Sequence, residues 1–192
     1  MIQTLYPLFQ HWADTGSVWL LSDLHFEDAD CKLMDPQWIS PEEQVERINS
    51  LVKKNDTFVC LGDVGIGIYI PQIRAKRKIL LTGNHDKKSD YKELFDEIYT
   101  GPVFIADRIL LSHEPVPGLP WCVNIHGHCH SGKETCGGGC RHLNRAANLV
   151  DYSPVNLGEL IKAGLLSGID SIHRIAIDAA IADPVKRNDN QD

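Results

Sequence analysis

Asp23 and His25, then Asp63, then Asn84, His85 and Asp86, then His113, and finally His126, His128 and His130 are residues of metal-ligand or proton-transfer type, and each group directly follows a short apolar run. The run Val18 to Leu21 breaks at Ser22-Asp23, Phe58 to Leu61 at Gly62-Asp63, and Ile79 to Leu81 at Gly83-Asn84. In open α/β sheets, ligands bind beyond the carboxyl ends of the strands, so these groups share one structural address. Carboxylate oxygen, imidazole nitrogen and an amide oxygen together suit Mn, Fe, Co, Ni or Zn, whereas Mg or Ca sites contain few histidines. A pair of divalent transition metals is therefore expected. No thiolate stands at these positions, which argues against a closed structural zinc site. If the strand through Ile125 stays extended, His126, His128 and His130 project to one face with Gly127 and Cys129 between them, and one of the three is left for substrate.

The elements that must position these residues follow from periodicity. Pro41 to Lys54 carries Val45, Ile48, Leu51 and Val52 at helical spacing, and a shorter helix is expected over Ile70 to Lys76. Strands alternating with helices point to an α/β sheet. A helix is expected over Tyr91 to Ile98. Val103 to Ile105 and Ile109 to Leu111 flank Ala106-Asp107-Arg108 as a hairpin, and Val123 to Ile125 and Asn148 to Val150 form two further strands. Asn156 caps a helix carrying Leu157, Leu160, Ile161 and Leu165, Ile169 to Ile181 fits another helix, and Asp183 to Asp192 is a polar, frayed tail.

With Asp23-Leu24-His25, Gly62-Asp63, Gly83-Asn84-His85-Asp86, Ser112-His113 and Gly127-His128-Cys129-His130 in this order, the chain resembles the calcineurin-like metallophosphoesterases, in particular their small bacterial-type members. The resemblance implies an α/β fold of two sandwiched β-sheets flanked by helices. Chain length leads to the expectation of a single domain over residues 1–182, and the resemblance covers its motif core, 18–165. It further implies one metal held by Asp23, His25, Asp63 and His130, a second held by Asp63, Asn84, His113 and His128, and Asp63 bridging them. Two metals about 3.5 to 4 Å apart can hold a hydroxide between them as nucleophile and clamp phosphoryl oxygens. His85 would protonate the departing alkoxide, its ordinary pKa near 6.5 suiting that task. Asp86 and His126 are further candidates, for contact with substrate or for support of the site from behind the ligands, and Asp86 also for its turn. The implied activity is hydrolysis of phosphate monoesters or diesters; the alternative is a non-catalytic metal-binding interaction module that retains the fold.

Two departures bear on substrate. Protein Ser/Thr phosphatases continue the Gly-Asp motif with an Asp and an Arg where this chain has Ile66 and Gly67, which weakens a protein-phosphatase function. Small bacterial-type members often follow Asp-Leu-His-Phe with Gly-His, where this chain has Glu27-Asp28. The short interval between Asp63 and Asn84 leads to the expectation of an open, shallow site. The expected partner is a small phosphoester.

Composition sets the remaining bounds. The chain carries 19 Lys plus Arg against 26 Asp plus Glu, a formal net charge of −7, so nothing advertises a nucleic-acid backbone or a nucleic-acid end as partner. No apolar run approaches the roughly 18 to 20 residues of a membrane-spanning helix, and Met1 to Phe9 lacks the basic leader and apolar stretch of a signal peptide. A cytoplasmic setting with no membrane partner is expected. Six cysteines are too sparse for a disulfide scaffold. Cys136 and Cys140, separated by three glycines, are read as part of a glycine-rich loop rather than a zinc site. His11, His142 and His173 are read as structural.

Overall fold

Parallel pairing of apolar strands explains most of the architecture. The computed structural model describes residues 2–131 and 141–182. The strands are β1 (Gln3–Thr4), β2 (Val18–Leu21), β3 (Thr57–Cys60), β4 (Arg77–Leu81), β5 (Glu97–Tyr99), β6 (Val103–Ala106), β7 (Ile109–Leu111), β8 (Val123–His126), β9 (Arg141–Asn144) and β10 (Val155–Asn156). They form two five-stranded sheets, ordered β10-β2-β3-β4-β5 and β1-β6-β7-β8-β9. In the first, β2 to β5 run parallel and β10 joins antiparallel beside β2. In the second, the β6–β7 hairpin is antiparallel and β7, β8 and β9 are parallel. The helices are α1 (Tyr6–Phe9), α2 (Cys31–Met34), α3 (Pro41–Leu51), α4 (Lys88–Tyr91), α5 (Leu157–Lys162) and α6 (Ile172–Ala182).

Strands buried on both faces need apolar residues at successive positions, which is why β2, β3 beyond Thr57 and the Ile79 to Leu81 end of β4 appear in the sequence as apolar runs. Alternate residues then enter different cores. Leu20, Val59, Ile79 and Leu81 pack with Val103, Ile105, Ile109, Leu111, Val123 and Ile125 between the two sheets. Leu21, Phe58, Cys60 and Leu80 face the other way, onto Val45, Ile48 and Val52 at and beyond α3. Ser40 caps α3 by accepting a hydrogen bond from the Glu43 backbone N–H, and Pro41 begins the helix, where its missing N–H costs nothing. Truncating the fully buried Ile48 to alanine would cost about 2 to 5 kcal/mol.

Three expected elements differ. The helix foreseen over Tyr91 to Ile98 ends at Tyr91, and Glu97–Tyr99 instead pairs in parallel with Ile79 to Leu81. Tyr91 and Phe95 keep a helical spacing because both pack into the same core, while Asp96 accepts from the Lys78 backbone N–H and ties the chain to β4. The helix foreseen over Ile70 to Lys76 is a 3-10 turn at Gly67–Gln72, which contains Pro71 and so lacks one N–H donor. Asn148 to Val150 lies in a 3-10 turn, Ala147–Val150, and not in a strand; its C-terminal cap, Asp151, is left-handed at φ 52°. The strand beside β8 is instead β9, whose sequence Arg-His-Leu-Asn carries no apolar run. The hairpin, the helix capped by Asn156 and the C-terminal helix are present. Cys136, Cys140 and the expected tail lie outside the described residues. Among the described residues, no helix is long and apolar enough to cross a membrane.

Candidate metal centre

The loops after β2 and β3 continue the pairing of their strands. The backbone N–H groups of Asp23, His25 and Phe26 donate to the carbonyls of Gly62, Asp63 and Val64 at 2.9, 3.0 and 3.0 Å. Asp63 is turned inward at the same level as Asp23 and His25. Asp23, His25, Glu27, Asp63 and His128 all have positive φ, between 41° and 69°. Left-handed backbone at non-glycine residues costs of the order of 1 to 3 kcal/mol each, and its concentration here marks a site that the surrounding fold holds in place.

Among the described residues three groups of ligand atoms form: His25, Asp28 and Cys31 make up one, and the other two share the inner face of the site. Of those two, Asp23, His25 and His130 form the first, and Asp63, His113 and His128 form the second; within each, the ligand atoms lie within 4.8 Å of one another. In the first, Asp23 Oδ1 is 3.9 Å from His25 Nε2 and 3.6 Å from His130 Nε2. In the second, His113 Nε2 lies 3.3 Å from Asp63 Oδ2 and 2.9 Å from Asn84 Oδ1, and His128 Nδ1 lies 3.0 Å from the same Asn84 oxygen. Asp63 Oδ2 is also 3.6 Å from His25 Nε2, so this one carboxylate faces both groups.

The donor set fits cations. Asp23 Oδ1 and His25 Nε2 are buried and have no hydrogen-bond partner, an arrangement that is costly for polar atoms unless something binds them. Buried Asp63 and His113 are coupled. Burial alone would push the Asp63 carboxyl up, but the His113 hydrogen bond and charge and the His85 N–H outweigh it and hold it below the ordinary value. Burial would lower His113, yet its hydrogen bond to Asp63 and the charges of Asp23 and Asp63 raise it above the ordinary value. By contrast, burial, with help from Asp28 and Asp30, pushes the Cys31 thiol up to about 12, and burial raises Cys60 well above the ordinary value. Without a bound cation, both cysteines are held as neutral thiols.

The imidazoles are oriented from behind. His113 Nδ1 donates to the Leu61 carbonyl at 2.9 Å, His130 Nδ1 to Asn148 Oδ1 at 3.1 Å, and His25 Nδ1 to Asp28 Oδ2 at 2.9 Å. Such partners hold a proton on Nδ1 and aim Nε2 at the site, where a bound cation would take the place of any proton on that nitrogen. Asp28 and Asn148 were not foreseen as supports. The His25 to Asp28 spacing of three residues was available as a signal, whereas Asn148 comes into range only through the turn after β9. Asp86 accepts from the backbone N–H groups of Asp63, Val64 and Gly83 at 2.8, 3.0 and 2.9 Å, so it ties the Gly83 loop to the Asp63 loop and does not face the ligand groups. Glycine is required where these loops touch. A Cβ on Gly83 would stand 2.1 Å from Asp63 Oδ1, and one on Gly127 would stand 2.1 Å from Asp23 Oδ2.

The expected common face of His126, His128 and His130 does not form. β8 ends at His126, and His128 is left-handed at φ 69°, so the alternation of an extended strand is lost. His128 joins Asn84 and His113, and His130 joins Asp23. His126 is fully buried, donates from Nδ1 to the Gly127 carbonyl at 2.8 Å and packs its ring against His142. His85 is exposed, its ring edge-on to His25 at 5.5 Å, while its backbone N–H donates to Asp63 Oδ1 at 3.0 Å.

A family model described as calcineurin-like phosphoesterase matches residues 16–164 of this chain. Among solved structures, a protein of unknown function from Aquifex aeolicus is similar at 27% identity and a TM-score of 0.65, with the match covering 77% of this chain and 98% of that one. No curated protein matches the chain.

Proposed function

From the premise that this chain belongs to the calcineurin-like phosphoesterase family, we propose that it hydrolyses small phosphoesters with two divalent transition metal ions, drawn from Mn, Fe, Ni, Co and Zn. The observation that carries this reading is the position of Asp63 Oδ2, 3.6 Å from His25 Nε2 and 3.3 Å from His113 Nε2, one buried carboxylate facing two ligand groups. Asp23, His25, Asp63 and His130 would hold one ion, and Asp63, Asn84, His113 and His128 the other. Bound there, the pair would supply Lewis acidity, lowering the pKa of water and neutralising charge on the phosphoryl oxygens.

The chain's own residues do the rest. Asp28, Asn148 and the Leu61 carbonyl keep the three imidazoles in the tautomer that presents Nε2. Asp86 holds the Gly83 loop against Asp63 and thereby fixes Asn84 and His85 over the site. His85, exposed beside His25, gives its proton to the leaving oxygen as the P–O bond to it breaks and the oxygen of water takes its place on phosphorus. The test is a panel of phosphate monoesters and diesters assayed on the metal-stripped chain, with Mn, Ni, Co, Zn and Mg restored singly. Hydrolysis that returns with a transition metal supports the proposal, and hydrolysis that survives exhaustive chelation contradicts it.

A further inference from the structure

Along the first sheet, Asp23 and His25 follow β2, Asp63 follows β3, Asn84 follows β4 and Thr100 follows β5, and those four strands are neighbours in that order. The ligand group of Asp23, His25 and His130 therefore stands toward β2, and that of Asp63, His113 and His128, joined by Asn84, toward β4. Next in the series, between the ends of β4, β5 and β7, lies a groove of about 390 Å³. Exposed Asn84 and buried His113 both belong to its lining, so it adjoins the second ligand group on the side away from the first.

The lining has a character of its own. It contains no lysine or arginine, and its one carboxylate, Glu114, is exposed. Such a wall repels a second phosphate and suits an uncharged group. Thr82 and Thr100 bring hydroxyls, while Pro102, Pro115, Val116 and Pro117 bring an apolar surface whose backbone the prolines stiffen. Buried Asn124 anchors this wall from behind: its Oδ1 accepts from the Val116 backbone N–H at 2.7 Å, and its Nδ2 donates to Ser112 Oγ at 2.8 Å. The groove is thus formed before anything binds.

His85 decides which substituent of phosphorus can enter it. The His85 ring stands 5.5 Å from His25, at the first ligand group, so an alcohol that takes its proton departs at that end. The groove lies at the other end and receives a substituent that stays on phosphorus. A monoester has no such carbon substituent, and a diester has one.

We propose that the groove is the subsite for the retained alcohol of a phosphodiester, and that this alcohol is uncharged, with polar groups for Thr82, Thr100 and Glu114 and a flat apolar face for the proline wall, as a nucleoside has. The inference rests on the phosphoesterase reading above and narrows it to diesters. The oxygen of water bonds to phosphorus as the bond to the leaving alcohol breaks, the leaving oxygen takes a proton, and the retained alcohol is released as its monoester.

Three substrates with one leaving group test the subsite: p-nitrophenyl phosphate, its methyl ester and its thymidine 5′ ester. kcat/KM is measured on the metal-loaded parent, on Gly101→Trp and on Thr100→Trp. Gly101 lines the groove, a Cβ there meets nothing within 4 Å, and Thr100 is exposed, so both positions accept a large side chain that narrows the groove. The parent should prefer the thymidine ester to the methyl ester by about tenfold or more, the scale on which one buried apolar group separates substrates, and each variant should lose that preference while the methyl ester and the monoester stay within about twofold. A parent that prefers the monoester or treats the two diesters alike, or variants in which all three esters fall together, would overturn the subsite.

Binding without turnover separates this from the broader reading. Thymidine alone, at millimolar concentration, should shift the backbone amide resonances of Thr100, Gly101 and Val116 in the zinc-loaded chain. No shift in a chain that hydrolyses the esters would remove the subsite and leave the hydrolase standing. The same shift in a chain that hydrolyses none of them would overturn the phosphoesterase reading and retain the groove as a nucleoside site.

Discussion

His25 and Asp28 form a carboxylate–imidazole pair: Nδ1 of His25 donates to Asp28 Oδ2 at 2.9 Å, and the opposite nitrogen, Nε2, faces Asp23 and Asp63. Asp28 stands where small members of the family often carry the histidine of Gly-His, and here its carboxylate orients the His25 imidazole. Losing an outer partner of this kind typically weakens metal affinity by about 10- to 100-fold. Asp28→Ala should therefore lower the affinity of the metal that His25 helps hold, measured by competition with a chelator. Unchanged affinity at both sites would show that the pair plays no part in holding metal.

His85→Ala separates proton donation from binding. General acid catalysis is worth about 10²- to 10⁴-fold and matters least when the leaving oxygen is already a stable anion. The variant should slow alkyl esters severely and nitrophenyl esters much less, at unchanged metal content. A uniform loss in kcat/KM across leaving groups of graded acidity would exclude the donor role, whereas a uniform rise in KM would indicate phosphate binding instead.

Glu97 gives the fold an acid-sensitive joint away from the site. Burial pushes its carboxyl up, but hydrogen bonds from Tyr99, His11 and Trp12 outweigh burial and hold it below 4.5, its ordinary value. A depressed carboxylate contributes stability that is fully present above the ordinary pKa and is lost as pH falls through the folded value. The parent should thus lose more stability than Glu97→Gln between pH 7 and pH 3, measured as the shift in urea midpoint. Parallel shifts in the two chains would mean that Glu97 contributes nothing to the acid limb.

The strand ends were legible because β2, β3 and β4 are buried on both faces and therefore appear as apolar runs broken by Asp23, Asp63 and Asn84. β9 was not legible, since parallel pairing with β8 and not hydrophobicity makes Arg141–Asn144 a strand. Asn148 was consequently assigned to a strand that does not exist, and its support of His130 went unseen. The family resemblance assigned His128 and His130 to separate metals, but the turn that parts them depends on the left-handed backbone of His128, which alternation of apolar and polar residues does not report.

Asp63 carries the central claim, and metal counting on Asp63→Asn tests it. Loaded and desalted, the parent should hold two transition metal ions per chain and hydrolyse a simple phosphoester. The variant keeps the side chain's size but removes the charge that faces His25 and His113, so it should hold fewer than two ions and lose at least about two orders of magnitude in kcat/KM, as befits a group acting on both cations. An Asp63→Asn chain that retained both ions with near-parental turnover would contradict the shared-carboxylate account.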